Sequence, residues 1–369
     1  MTNYQIWYII IILAAYVDIF MNKIKSKILS FSMFILLVLF LLKTALQAQE
    51  RVYEENPMPF DQWVSELKVE ALAKGIDENL FDIALQGVTP NAKVIELDRS
   101  QPEFTQTFDE YISRRVSATR IDKGREMMVK YGDELAQVSA HYGVQAQFIA
   151  SIWGMETNYG GYTGGYNVIR SLATLAYDPR RSRFFRTQLF SALRIANEGH
   201  VPIDELKGSW GGAMGQSQFM PSNFFVYAQD FDGDGRRDIW GTPIDVFASI
   251  ANYLKKHGWQ DNLTWGRQIV LPENFANYEN DILRQDGAKG CRAERSHSRK
   301  ILLAGWQNMG LKRLNGDDLP KVEVTAALVR PAGATGPAYL TYHNFGRILN
   351  YNCANYYALA VGQLADQLR

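Results

Sequence analysis

The sequence predicts a mainly α-helical (α+β) protein with a small β-containing subdomain near its C-terminus. Three observations carry this. Apolar residues recur at helical spacing over most of residues 57–257, glycines punctuate those runs, and apolar–polar alternation is confined to residues 321–342.

The first fifty residues stand apart. Tyr4 to Val17 is an apolar run stopped by Asp18. Ile28 to Leu42 is a second run, preceded by Lys23, Lys25 and Lys27 and followed by the small residues Ala45 and Ala48. The second run has the build of a secretory signal, with Met21 directly before it as a candidate start. Residues 1–20 would then be upstream translated sequence or a second hydrophobic anchor. The alternative is a two-span hairpin, although both runs are shorter than the ~20 residues of a usual spanning helix. In either case the lysines stay inside and residue 50 onward is exported, with inner-membrane anchoring if the signal is kept. No cysteine follows the apolar run, so a lipoprotein is not expected.

From Pro57 the helices follow in order. Trp63, Val64, Leu67 and Ala71 mark one that Gly75 ends, and Glu78 to Leu85 is the next. Lys123 to Tyr142 and Gln145 to Trp153 read as two more, joined by a break at 142–144. After glycine-rich turns at 160–165, Arg183 to Glu198 places Phe185, Leu189, Ala192, Leu193 and Ala196 on one face. Gly208 to Pro221 is a loop, Phe224 to Ala228 and Asp245 to His257 are helical, and Gly258-Trp259 ends the second. A polar, arginine-rich stretch at 284–300 reads as an exposed insertion. Residues 321–330 and 338–342 alternate around a Pro/Gly turn as a hairpin would, and Asn355 to Leu368 is a last helix. These breaks divide the chain at 1–50, 51–125, 126–258, 259–345 and 346–369.

With 369 residues, 47% of them hydrophobic, the chain can bury one large core or two to three smaller ones. Thirty-nine basic residues balance 39 acidic ones, so nothing in the charge steers the protein to nucleic acid. Cys291 and Cys353 are the only cysteines. In an exported protein they can pair, and free thiols are the equal alternative. Five scattered histidines offer no zinc spacing.

The chemistry concentrates in three places. Glu156 ends the apolar stretch Phe-Ile-Ala-Ser-Ile-Trp-Gly-Met-Glu, beside Ile152, Trp153 and Met155. Desolvation there disfavours its charged form and makes it a candidate general acid. The loop Gly-Ser-Trp-Gly-Gly-Ala-Met-Gly-Gln-Ser-Gln-Phe-Met-Pro at 208–221 lets backbone approach a ligand closely, and Ser209, Gln216 and Gln218 match sugar hydroxyls and acetamido groups. An ordinary structural turn is the competing reading. Third, Asp230, Asp232, Asp234 and Asp238 stand at positions 1, 3, 5 and 9 of an EF-hand-like loop, with Gly235 at position 6 and the Arg236 carbonyl at position 7. A structural Ca²⁺ is the expected ligand, and Asx-turns without metal the alternative. Position 12, normally Glu, is Gly241.

Taken in order, these motifs, with Ser-Ile-Ala-Asn-Tyr-Leu and His-Gly-Trp after them, resemble the lytic murein transglycosylase B family over about residues 57–369. The resemblance implies a goose-lysozyme-like helical catalytic core at 126–258. It also implies cleavage of the β-1,4 bond between N-acetylmuramic acid and N-acetylglucosamine in peptidoglycan glycan strands, in the periplasm. No water is consumed: the muramic 6-hydroxyl attacks its own anomeric carbon and leaves a 1,6-anhydro end. Glu156 is implied as acid and then base, since most glycosidases need two carboxylates and the motif holds one. Asp178, Glu198, Asp204 and Glu205 are other carboxylates to be placed. By the same resemblance Ser209 and Gln218 hold substrate, and Tyr253, Tyr351, Asn352, Tyr357 and Tyr111 line the cleft. Buried tyrosines with satisfied hydroxyls are the alternative. In the family an aspartate beyond position 12 closes the calcium loop; Asp245 is its candidate here, one residue further on than the family spacing. No organic cofactor is implied. A hydrolytic muramidase on the same fold and a noncatalytic calcium-dependent wall-binding protein are the alternatives.

Overall fold

Helix periodicity carries through into the computed structural model, which describes residues 58–100, 106–283 and 290–369. The export segment, Met21 included, lies outside the described residues. Among the described residues no helix is long and apolar enough to cross a membrane.

The N-terminal pair Phe60–Ala73 and Glu78–Leu85 forms as its spacing predicts, burying Trp63, Leu67, Ala71, Phe81 and Leu85. Asp77 caps the second helix by accepting from Leu80 N. Helices at Ala92–Ser100, Phe108–Arg115 and Val168–Tyr177 escaped the periodicity reading. The first two are short and polar; the third is buried on nearly every side and so has no polar face to mark a period. Phe108–Arg115 starts with a reciprocal capping box between Thr107 and Glu110. The expected helix from Lys123 to Tyr142 is two, Ala118–Lys130 and Gly132–Tyr142, broken at Tyr131.

Ala146–Thr157 is the central helix. Phe148 to Met155 are all buried, and the helix packs against Val246–Leu254 and Tyr357–Leu364 in one core. Ser151 Oγ donates to Val361 O at 2.7 Å, pinning the last helix, Asn355–Gln367, across it. A second core joins the N-terminal pair to Val168–Tyr177 and Ser182–Asn197.

Beyond Trp259 a third core lies under an antiparallel sheet. Two residue pairs form a small ladder first, β1 (Tyr166–Asn167) with β2 (Lys207–Gly208). The larger sheet contains β3 (Gly266–Val270), β4 (Ile301–Leu302), β5 (Lys312–Arg313), β6 (Thr325–Val329) and β7 (Ala338–Thr341), in the order β4-β6-β7-β3-β5. The expected hairpin is β6–β7, with Leu328 opposite Leu340. β3, unforeseen, pairs on the other side of β7.

The stretch at 284–300 is not simply an exposed insertion. Residues 284–289 lie outside the described residues, and from Gly290 the chain is bound to the fold. Cys291 is disulfide-bonded to Cys353, and buried His297 shares a hydrogen bond with Asn355 Oδ1.

Candidate active site

The helix Ala146–Thr157 runs one turn past the expected end at Trp153, so Glu156 sits within its last turn. Asn158 at φ 52° and Tyr159 at φ 60° then reverse the chain, and Gly160 follows at φ 73°. Two non-glycine residues in the left-handed region need outside support. Lys123 Nζ donates to Asn158 O at 2.8 Å, and Tyr159 Oη donates to Arg120 O at 3.1 Å. The Tyr159 side chain fills space left by Gly154 and Gly124, where an added β-carbon would lie 2.5 Å from its ring and 2.2 Å from its hydroxyl oxygen.

Glu156 is half-buried and opens onto a cleft of 930 Å³. Its Oε1 accepts from the hydroxyl of buried Tyr357 at 2.5 Å. Burial pushes the Glu156 carboxyl up to about 7, against the opposing pull of the Tyr357 hydrogen bond and the Arg115 charge. A carboxyl tuned to that range can give a proton and take one back.

The glycine-rich loop forms one wall. Ser209 N donates to Ala213 O at 2.7 Å while Ser209 Oγ accepts from Ala213 N at 3.0 Å. Gln218, at φ 51°, donates through Nε2 to Thr163 O and Gly215 O, both at 2.9 Å. Both amide hydrogens are thereby engaged, and Oε1 is the group it retains for a ligand.

Of the residues singled out in the sequence, Glu156, Ser209, Gln218, Asn352, Tyr357 and Tyr111 come together on this cleft. Tyr253 and Tyr351 stand behind it in an aromatic cluster with Phe219, their ring centroids 4.7 Å apart. Tyr253 Oη donates to Asn350 O and Tyr351 Oη to Ser217 O, each at 2.6 Å, so both hydroxyls are spent on backbone. Asp178 is held by Arg99, and Glu198 by Arg194 and His200. Asp204 and Glu205 are exposed in a 3₁₀ turn, and Glu156 is the carboxylate that lines the cleft. Arg115, Trp210, Met220, Arg292 and Tyr356 also line it and were not singled out. Arg292 reaches the cleft because the disulfide ties its 3₁₀ turn, Arg292–Ser296, beside Cys353; the lone cysteine pair was the available signal.

In the acidic loop, carboxylate oxygens of Asp230, Asp232 and Asp245 lie within 4.8 Å of one another. Asp245 is fully buried at the start of helix Pro243–Lys256 and accepts from Phe231 N and Asp238 N, which pins both arms of the loop. An all-oxygen set of three carboxylates fits a hard cation such as Ca²⁺. Asp234 lies outside that group and pairs with Arg236. Asp238 also lies outside it: its oxygens accept from Trp240 N, Gly241 N and Thr242 Oγ1.

Residues 59–366 match the family model described as the transglycosylase SLT domain. The chain belongs to the transglycosylase SLT-domain family. The family resemblance and the helical, lysozyme-like architecture expected from the motifs are both borne out. This SLT-domain protein is 31% identical to the membrane-bound lytic murein transglycosylase B of Escherichia coli, over 69% of its own length and 66% of the relative's, just under two thirds. SltB3 from Pseudomonas aeruginosa, solved in complex with NAG-anhNAM-pentapeptide, is 44% identical with a TM-score of 0.76, covering 84% of this chain and 80% of that one. The Escherichia coli lytic transglycosylase Slt35, solved in complex with calcium, is 27% identical with a TM-score of 0.68, covering 87% and 97%.

Proposed function

We propose that this SLT-domain protein is a lytic transglycosylase that cleaves the β-1,4 bond between N-acetylmuramic acid and N-acetylglucosamine in peptidoglycan. The observation that carries the reading is Glu156, the carboxyl lining the cleft, raised to about 7 by burial. Glu156 gives its proton to the glycosidic oxygen as the bond from that oxygen to the muramic anomeric carbon breaks. The resulting carboxylate takes the proton of the muramic 6-hydroxyl as that oxygen bonds to the anomeric carbon. A 1,6-anhydro end results, Glu156 is protonated again, and no water enters. The bound NAG-anhNAM-pentapeptide of the 44% identical SltB3 has the end group this reaction would leave.

Tyr357 donates to the carboxylate as its charge develops, the placement from which a hydrogen bond lowers a barrier. Ser209, Gln218, Asn352 and Tyr111 hold the glycan, and Tyr253 and Tyr351 set the wall behind them. Asp230, Asp232 and Asp245 are the groups that would hold Ca²⁺, which when bound neutralises their mutual repulsion and closes the loop; no organic cofactor is required. The substrate places the protein outside the cytoplasm, in the periplasm, with the apolar run at 28–42 as its export signal or anchor.

The test is product mass. The full chain acting on purified peptidoglycan is expected to release anhydro ends, and Glu156→Gln to release none while keeping its fold. Reducing ends, heavier by one water, would make the protein a hydrolytic muramidase. Absence of any cleavage by the unaltered chain would leave a wall-binding role.

A further inference from the structure

Gln216 is buried at 9% exposure, and each of its four polar groups has a partner. Its Oε1 accepts from Trp153 Nε1 at 2.7 Å, and its backbone oxygen accepts from Thr157 Oγ1 at 3.2 Å. Trp153 and Thr157 are one helical turn apart and flank Glu156. On its other side, Gln216 Nε2 donates to Trp240 O at 2.6 Å and its backbone N donates to Ile239 O at 2.7 Å. Ile239 and Trp240 follow directly on Asp238, whose own N–H is held by Asp245. One residue of the glycine-rich loop thus bridges the end of the acidic loop and the last turn of the helix carrying Glu156.

The neighbouring glycines keep that bridge tight. A β-carbon at Gly160 would lie 2.4 Å from Gln216 Oε1, and one at Gly215 would lie 2.7 Å from Ile239. Both glycines have positive φ, at 73° and 68°, so these contacts can form only without a side chain there.

We propose that Gln216 is a positioning residue that transmits the conformation of the acidic loop at 230–245 to Glu156. The loop's order reaches the helix through four hydrogen bonds, two from Gln216 to the Ile239 and Trp240 carbonyls and two to Gln216 from Trp153 and Thr157, and Gln216 fixes where the Glu156 carboxyl stands relative to Ser209 and Gln218 in its own loop. The effect on catalysis rests on Glu156 being the acid; the structural coupling does not.

The experiment uses the full chain labelled with ¹⁵N-tryptophan, stripped with EDTA and titrated with CaCl₂. The Trp153 indole N–H signal, assigned by its loss in Trp153→Phe, is expected to shift on calcium addition in the unaltered protein. Gln216→Glu, read at pH 9 where the new carboxyl is ionised, keeps an acceptor for Trp153 but cannot donate to Trp240 O, and is expected to lose the calcium response. Gln216→Leu is expected to lose it too and to lower kcat on peptidoglycan about a hundredfold with KM changed by no more than about threefold, the pattern of a misplaced acid rather than lost binding. A Trp153 signal that ignores calcium in the unaltered protein, or follows it equally in Gln216→Glu, overturns the proposal. If Gln216→Leu fails to fold, the Gln216→Glu response still decides. If the unaltered chain does not cleave peptidoglycan, the functional reading fails while the coupling is still read from the signal.

Discussion

Tyr357 Oη donates to Glu156 Oε1 across 2.5 Å, joining two helices whose contacting residues are 201 apart in sequence. Burial and then the nearby Glu156 charge hold the Tyr357 phenol well above its ordinary value, so it stays a donor throughout the working range. With Glu156 as the proposed acid, kcat/KM is expected to fall as pH rises through about 7. Tyr357→Phe removes a bond that favours the carboxylate. The descending limb should move to higher pH, and kcat should fall about ten- to hundredfold, since a hydrogen bond to a charged group is worth roughly 1.5–3 kcal/mol. A pH–rate profile of both proteins checks this.

Stability should depend on the same carboxyl. Its value rises from 4.5 for an ordinary glutamate to about 7 in the fold. Between those values the folded protein holds a proton that the unfolded chain has released, so stability falls as pH rises across the window. Glu156→Gln has no such group. Its Tm advantage over the unaltered protein is expected to grow from pH 4.5 to 7 and stay level above, as thermal melts at a series of pH values would read.

Calcium removal should destabilise the chain through Asp230, Asp232 and Asp245. A hundredfold excess of ion over Kd contributes about 2.7 kcal/mol, which corresponds to about 3–4 °C of Tm in a chain of 369 residues. Asp245→Ala should abolish the difference between calcium and chelator. Asp238→Asn, whose side chain caps residues 240–242, should lower Tm alike in both. Equal melting of the unaltered protein with and without chelator would count against the ion.

The disulfide closes a loop with a sequence separation of 62. Restricting the unfolded chain by a loop of that length contributes about 4 kcal/mol. Paired Cys291→Ser and Cys353→Ser replacements are expected to lower Tm, and to raise KM for peptidoglycan because Arg292 and Ala293 lose their anchorage at the cleft. Melting and steady-state kinetics with and without dithiothreitol would measure both.

Much of the architecture was legible where one face of a helix meets water. Glu78–Leu85 is placed to the residue, and Ser182–Asn197 and Asn355–Gln367 to within one at each end. Val168–Tyr177 was not, because burial on nearly all sides erases the polar stripe that a period needs. The break at Tyr131 was hidden for a different reason: Gly132–Tyr142 continues the apolar spacing of the helix before it.

In the site, the sequence by itself determined which groups are available: a glutamate ending an apolar run, a loop dense in glycine, and aspartates at alternating positions. Those are local properties of residue type and spacing. Tertiary structure alone decided what each group does with its neighbours. It turned Tyr253 and Tyr351 away from the cleft onto backbone carbonyls, and moved Asp238 from the carboxylate cluster onto the turn after it. It also paired the cysteines and made Gln216 the bridge between loop and helix. A hydrogen bond requires two atoms within about 3 Å, and whether residues tens or hundreds of positions apart come that close depends on how the helices pack.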